Sequence, residues 1–171
     1  AHSFEPTPGV IRLLADADLV VANGLDLEPW LERALNALGD DRPRLVVEAS
    51  NPSVGREGAL HDDGSDNHRI DPHVWLDPVL AIGQVERIRD ALVQVDESGA
   101  DGYRSRAEEF VGELDDLTEE FADRLSDCRH SQFVTTHAAY GYLAERFGLE
   151  QIAIGGFSPD LEPRARDLAE L

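Results

Sequence analysis

The sequence predicts an α/β protein in which parallel strands are covered by helices. Short apolar runs of strand length fall at residues 18–24, 44–49, 132–136 and 149–154. The stretches between and beyond them repeat apolar residues every three or four positions, the period of a helix face. Helix and strand alternate, which is the pattern of crossover-connected parallel sheets.

The elements follow in order. Residues 3–7 read as an extended turn, with Thr7 as N-cap and Pro8 at the first helical position, where its missing N–H leaves no bond unmade. Val10, Ile11, Leu13 and Leu14 supply the apolar face of a short helix. Residues 18–24 read as a buried strand ending in a turn. Glu28-Pro29-Trp30 starts a second helix with Trp30, Leu31, Ala34, Leu35 and Leu38 on one face and a stop near Gly39, and a second strand follows at 44–49. From 50 to 70 the periodicity lapses into a Gly- and Asp-rich loop that carries His61 and His68; loops this long inside a compact domain are functional or disordered. Asp77 and Pro78 are the N-cap and first residue of a helix with Val79, Leu80, Ile82, Val85, Ile88, Leu92 and Val95 at helical spacing. The longest helical pattern covers 101–127, through Tyr103, Ala107, Phe110, Leu114, Leu117, Phe121 and Leu125. At 1.5 Å per residue it would span about 40 Å. Pattern alone leaves open whether this is a long surface helix or a strut joining two lobes. Beyond it lie a strand at 132–136, then His137 at the very start of a helix over 138–147 closed by Gly148, a strand at 149–154, a turn at 157–160 and a last helix opened by Glu162-Pro163.

The 171 residues suffice for one substantial core or two modest lobes. Charge is the unusual feature: 35 acidic residues against 15 basic give −20, and every basic residue is Arg. Acidic excess with no Lys predicts adaptation to high salt, where screening over a few ångströms removes self-repulsion. It argues against a nucleic-acid partner, which needs a basic stripe. Cys128 is the one cysteine, so an intrachain disulfide and a cysteine-based zinc cluster are both excluded, and a small buried apolar role at a helix end is expected of it. No apolar run approaches the roughly 20 residues of a membrane span. The chain opens on Ala1-His2-Ser3-Phe4 and stops inside a helical pattern at Leu171, which predicts a fragment or a processed form.

Chemistry gathers around the stretch Asp71-Pro72-His73-Val74-Trp75-Leu76-Asp77-Pro78. Each proline fixes its own φ and pushes the residue before it toward extended geometry, so His73 sits in a stiffened turn just ahead of a helix. His2 and His137 share that context, each before or at a helix N-terminus, and ligands of open α/β folds gather at such strand-to-helix connections. The partial positive charge of a helix start favours the neutral imidazole that a metal requires. Three such histidines fit a first-row divalent ion, zinc first, at about 2.0–2.1 Å per nitrogen. No compact H-E-x-x-H pair joins them, so spacing alone leaves open a metal site and a set of unrelated histidines.

The motifs themselves are recognisable. His2-Ser-Phe-Glu-Pro-Thr-Pro8, Ala15-Asp-Ala-Asp-Leu-Val-Val21, Gly24-Leu-Asp-Leu-Glu-Pro-Trp30, the Asp71-to-Pro78 stretch above and Thr136-His-Ala-Ala-Tyr-Gly-Tyr-Leu-Ala144 resemble the metal-binding receptors of zinc and manganese ABC importers. These are the cluster A-I, ZnuA-like and TroA-like solute-binding proteins, and the resemblance covers nearly the whole chain. It implies two parallel-sheet α/β lobes, residues 1–98 and 129–171, linked by a long rigid helix at 99–128. It implies a metal held between the lobes by His2 and His73 from the first and His137 from the second. It also implies a fourth ligand, an Asp, beyond residue 171 and a first strand ahead of His2, so that the second lobe here is incomplete. Manganese-selective members tend to carry a carboxylate where His137 stands, so the resemblance favours Zn2+, with Mn2+ or another divalent metal as the alternative. The stretch His61-Asp-Asp-Gly-Ser-Asp-Asn-His68 resembles a short form of the His- and acid-rich loop of zinc-type members; a solvated, salt-adapted loop is the other reading. The expected protein is an extracytoplasmic monomer that passes its ion to a membrane permease and performs no chemistry. A zinc hydrolase would also use three His and an open position, but no Glu or Asp stands beside a ligand in a known general-base motif. A surface adhesin, a label sometimes given to this family, finds no support in the residues.

Overall fold

The computed structural model describes residues 4–51, 53 and 70–154. His2, the loop carrying His61 and His68, and the expected turn and helix after 154 lie outside the described residues. The chain divides into two compact units, residues 1–53 with 82–113 and residues 54–81 with 114–171.

In the first unit, helix α1 (Pro8–Asp16) starts as expected: Thr7 is extended and its hydroxyl accepts from Val10 N at 3.4 Å. Strands β1 (Leu19–Ala22) and β2 (Leu45–Glu48) pair in parallel, with Leu19 beside Leu45 and Ala22 beside Glu48. A parallel pair needs a crossover, and α2 (Leu31–Leu38) lies on it. Leu14, Ala22, Leu31, Ala34 and Leu35 form the buried cluster, with Val10, Ile11, Val20, Trp30, Leu38 and Val46 packed against it. Gly39, at φ 55°, ends α2 in a conformation that glycine adopts without strain. The helix begins three residues later than Glu28, because the Glu28 carboxylate is committed to the turn after β1. It accepts from Asn23 N at 3.0 Å and Gly24 N at 3.1 Å. That turn needs such a clamp: Gly24, Leu25 and Asp26 all have positive φ, which is unfavourable for the last two. Just beyond the strand ends, Gln84 donates to Asn23 Oδ1 at 2.9 Å and to Ser50 Oγ at 3.0 Å.

Helices α3 (Pro78–Val95) and α4 (Ala100–Leu125) are joined by a single 3-10 turn, and the boundaries between the two units fall inside both. Asp96 folds that turn by accepting from Gly99 N at 3.2 Å and Ser98 Oγ at 2.6 Å. At 26 residues α4 is about 39 Å long. Among the described residues no helix is long and apolar enough to cross a membrane.

In the second unit, β3 (Gln132–Thr135) and β4 (Glu150–Ala153) are again parallel, with Phe133 beside Gln151 and Thr135 beside Ala153. Two expectations fail here. Helix α5 spans only Gly141–Arg146, so His137 lies in an irregular segment rather than at a helix start. The reason is local: polar groups of the 137–140 backbone bond to side chains of Thr135 and Gln151 instead of entering a helical ladder. Cys128 is exposed rather than buried. It stands three residues past the last residue of α4, in the connection to β3.

Candidate metal centre

The centre is built from two segments of the second unit. The first is residues 71–77. Asp71 is buried, and one of its carboxylate oxygens accepts from His73 N at 3.0 Å and pairs with His73 Nδ1 at 2.8 Å. This is an Asx turn closed a second time by the imidazole. A carboxylate at Nδ1 selects the Nδ1–H tautomer and leaves the lone pair on Nε2, the arrangement that orients metal-binding histidines. A 3-10 turn over Val74–Leu76 follows, with Leu76 N bonded to His73 O at 3.2 Å. Asp77 then caps α3 by accepting from Val79 N at 2.9 Å and Leu80 N at 3.4 Å. The turn and capping roles read from the two Asp-Pro steps are both present.

Helix α5 holds this segment from the side. Tyr142, one turn before Arg146, donates its phenolic O–H to Asp71 O at 2.7 Å. The Arg146 guanidinium Nε lies 2.6 and 2.7 Å from the two oxygens of Asp77. Residues four apart share a helix face, so α5 grips both ends of the stretch that carries His73. Asp77 is 1% exposed, a buried charge that is tolerable because an arginine and two helix N–H groups meet it. The sequence pattern places Tyr142 in the Thr136–Ala144 motif and Arg146 in the expected helix over 138–147, with no bonding role for either. The only signal would have been a phenol and a guanidinium four apart on a helix following the His137 segment.

The second segment is 136–140. Its His137 ring lies 5.5 Å from the His73 ring, centroid to centroid, at an interplanar angle of 64°. Two imidazoles on one tetrahedral zinc, each through a nitrogen at about 2.1 Å, would have centroids about 5 Å apart. The pair therefore has the right spacing for a shared ion. The pKa of His137 is lowered, first because burial disfavours the imidazolium and second because His73 is adjacent; Asp71 partly offsets both. The neutral ring is the form that donates to a metal. His73 and His137 are thus brought together, while His2 lies outside the described residues. Among the described residues no set of three His, Cys, Asp or Glu is gathered in a way that could hold a metal ion.

The whole chain, residues 1–171, matches the family described as ZnuA, zinc-uptake complex component A, periplasmic. It is 37% identical over 177 residues to the high-affinity zinc uptake system protein ZnuA of Bacillus subtilis, covering 99% of this chain and 55% of that protein. It is 36% identical over 176 residues to the zinc-binding lipoprotein AdcA of Streptococcus pneumoniae, covering 99% of this chain and 35% of that protein. A crystal structure of a Zn(II)-bound AdcAII variant from Streptococcus pneumoniae superposes with a TM-score of 0.86 at 36% identity, over 99% of this chain and 63% of that one. The chain belongs to the ZnuA family and has the α/β fold of these TroA-like metal receptors. It spans 35–63% of the length of the three relatives.

Proposed function

We propose that this chain is the capturing part of an extracytoplasmic zinc receptor that hands its ion to an ABC import permease. His2, His73 and His137 are the ligands, and the receptor works as a monomer. Its lobes are 1–98 and 129–171, with 99–128 as the connecting helix. The observation that carries this reading is the His73–His137 pair, 5.5 Å apart between ring centroids, with Asp71 on the Nδ1 of one ring. Imidazole donors suit zinc, a borderline ion, better than the harder manganese. Capture and release without chemical change fits the carboxylates nearby. Asp71 is bonded to the His73 ring and Asp77 to Arg146 and the start of α3, so both have structural partners rather than a general-base position. Contact between the 71–77 segment and α5 explains how His73, which precedes the connecting helix in the chain, reaches a histidine that follows it.

Metal content after purification, followed by competitive zinc titration of the wild type and His73→Ala, tests the proposal. The wild type is expected to carry zinc, and the substitution to weaken binding by at least about 100-fold, the upper end of what loss of a mere supporting group costs. Equal affinity in the two proteins, or a wild type that takes up neither zinc nor manganese, overturns it.

A further inference from the structure

The segment that carries His137 has almost no secondary structure of its own, and two side chains, Gln151 and Thr135, bond its backbone. Residues 136–140 lie between the end of β3 and the start of α5, outside both ladder and helix. Gln151, on β4, sits diagonally across from Thr135 and reaches over the end of β3. Its Nε2 donates to Thr135 Oγ1 at 2.6 Å and to the main-chain carbonyl of His137 at 3.0 Å. Its Oε1 accepts from Tyr140 N at 3.1 Å. The Thr135 hydroxyl, having accepted from Gln151, donates to the same His137 carbonyl at 2.9 Å. Ala139 N also points there, at 3.0 Å. Both ends of one amide are in use, and only the orientation with nitrogen toward Thr135 and His137 satisfies all three groups.

We propose that Gln151 is the positioning residue for His137: its amide clamps the metal-binding loop at the ligand's own carbonyl and at Tyr140 N, fixing the imidazole before the ion arrives. The inference rests on the reading of His137 as a ligand. It assigns Gln151 no contact with the metal. The physical reason is that a loop without a ladder loses backbone entropy on ordering, and a receptor whose loop is already ordered does not lose it during binding. A glutamine suits the task because it donates and accepts at once. Glutamate keeps the bond from Tyr140 N but cannot donate to the carbonyl, and leucine keeps only the bulk.

The test compares zinc dissociation rates, measured by rapid mixing with a chelator, in the wild type, Gln151→Leu, Gln151→Glu, Thr135→Val and His137→Ala. It also records the visible absorption of each protein loaded with Co(II), which reports ligand geometry, and the melting temperature of each metal-free protein. Gln151→Leu is expected to release zinc about tenfold faster and to change the Co(II) spectrum, within the range that supporting groups of metal ligands command. Gln151→Glu is expected to fall between it and the wild type, and Thr135→Val to speed release about threefold. A purely structural role would lower the melting temperature and leave the spectrum of the folded protein unchanged. Wild-type dissociation and spectrum in folded Gln151→Leu overturn the inference. If Gln151→Leu does not fold, the same readouts on Gln151→Glu and Thr135→Val decide it. Should His137→Ala hold zinc as well as the wild type, the ligand reading itself falls; should His137→Ala lose zinc while Gln151→Leu does not, only the clamp falls.

Discussion

The two units contain the same small motif, a parallel strand pair whose crossover holds one short helix, and they secure it by different means. Around β1, α2 and β2 the aliphatic side chains of Leu14, Leu31, Ala34 and Leu35 are buried together, and the bonds of Glu28 and Gln84 fix only the loops beyond the strand ends. Around β3, α5 and β4 the buried apolar set is Ala138, Ala139, Ala144 and the Tyr142 ring, with Val74 of the adjoining segment, and hydrogen bonds from Tyr142, Arg146 and Gln151 tie particular atoms together. Apolar burial is non-directional. Hydrogen bonds weaken steeply with distance and angle, so they hold particular atoms in place. Directional bonds reach the two segments that carry His73 and His137, which is what a proposed binding centre needs from its support.

That contrast can be broken by substitutions on either side. Leu35→Ala removes a side chain that is 5% exposed in the aliphatic cluster. A loss of about 3 kcal/mol is expected in urea denaturation, by the usual cost of deleting buried methyl groups. Zinc dissociation from the protein that remains folded should stay within about twofold of the wild type, and a larger change would show that the two regions are not separable. Arg146→Ala works the other way. It leaves the Asp77 carboxylate buried with only the N–H groups of Val79 and Leu80, at 2.9 and 3.4 Å. A stability loss of about 2 kcal/mol is expected, less than for a fully buried pair because the arginine is partly exposed. Zinc release should quicken about tenfold at the same time, because the grip on the His73 segment is released. A variant as unstable as expected but with wild-type zinc kinetics would reduce α5 to a structural prop.

The same division governs what could be read from sequence. Leu31, Ala34 and Leu35 recur at helical spacing, and Thr7-Pro8 and Asp77-Pro78 are start signals whose geometry is local, so the aliphatic unit and the α3 start were legible. His73 and His137 were legible as candidates through their context, though their approach to one another was not. The bonds that support them join residues 71, 69 and 14 positions apart, between polar groups that follow no period. The misplaced start of α5 has the same origin. Ala138-Ala139-Tyr140 has ample helix propensity, but Gln151 and Thr135, on the two strands, capture the backbone groups that a helix would use, and tertiary bonding overrides propensity.

The smallest expected effect concerns His137 alone. Burial, then the neighbouring His73, lowers its pKa, while Asp71 pulls it back in part. In an NMR titration of the metal-free protein its ring should therefore titrate below the usual imidazole value of about 6.5. The sign for stability follows. A group whose pKa is lower folded than unfolded favours folding fully above its unfolded value, and that contribution is lost as pH falls through the folded value. Acidification of the metal-free protein would then weaken the segment as the His137 ring protonates. A midpoint at or above 6.5 would show that burial and His73 do not outweigh the field of Asp71 at this ring.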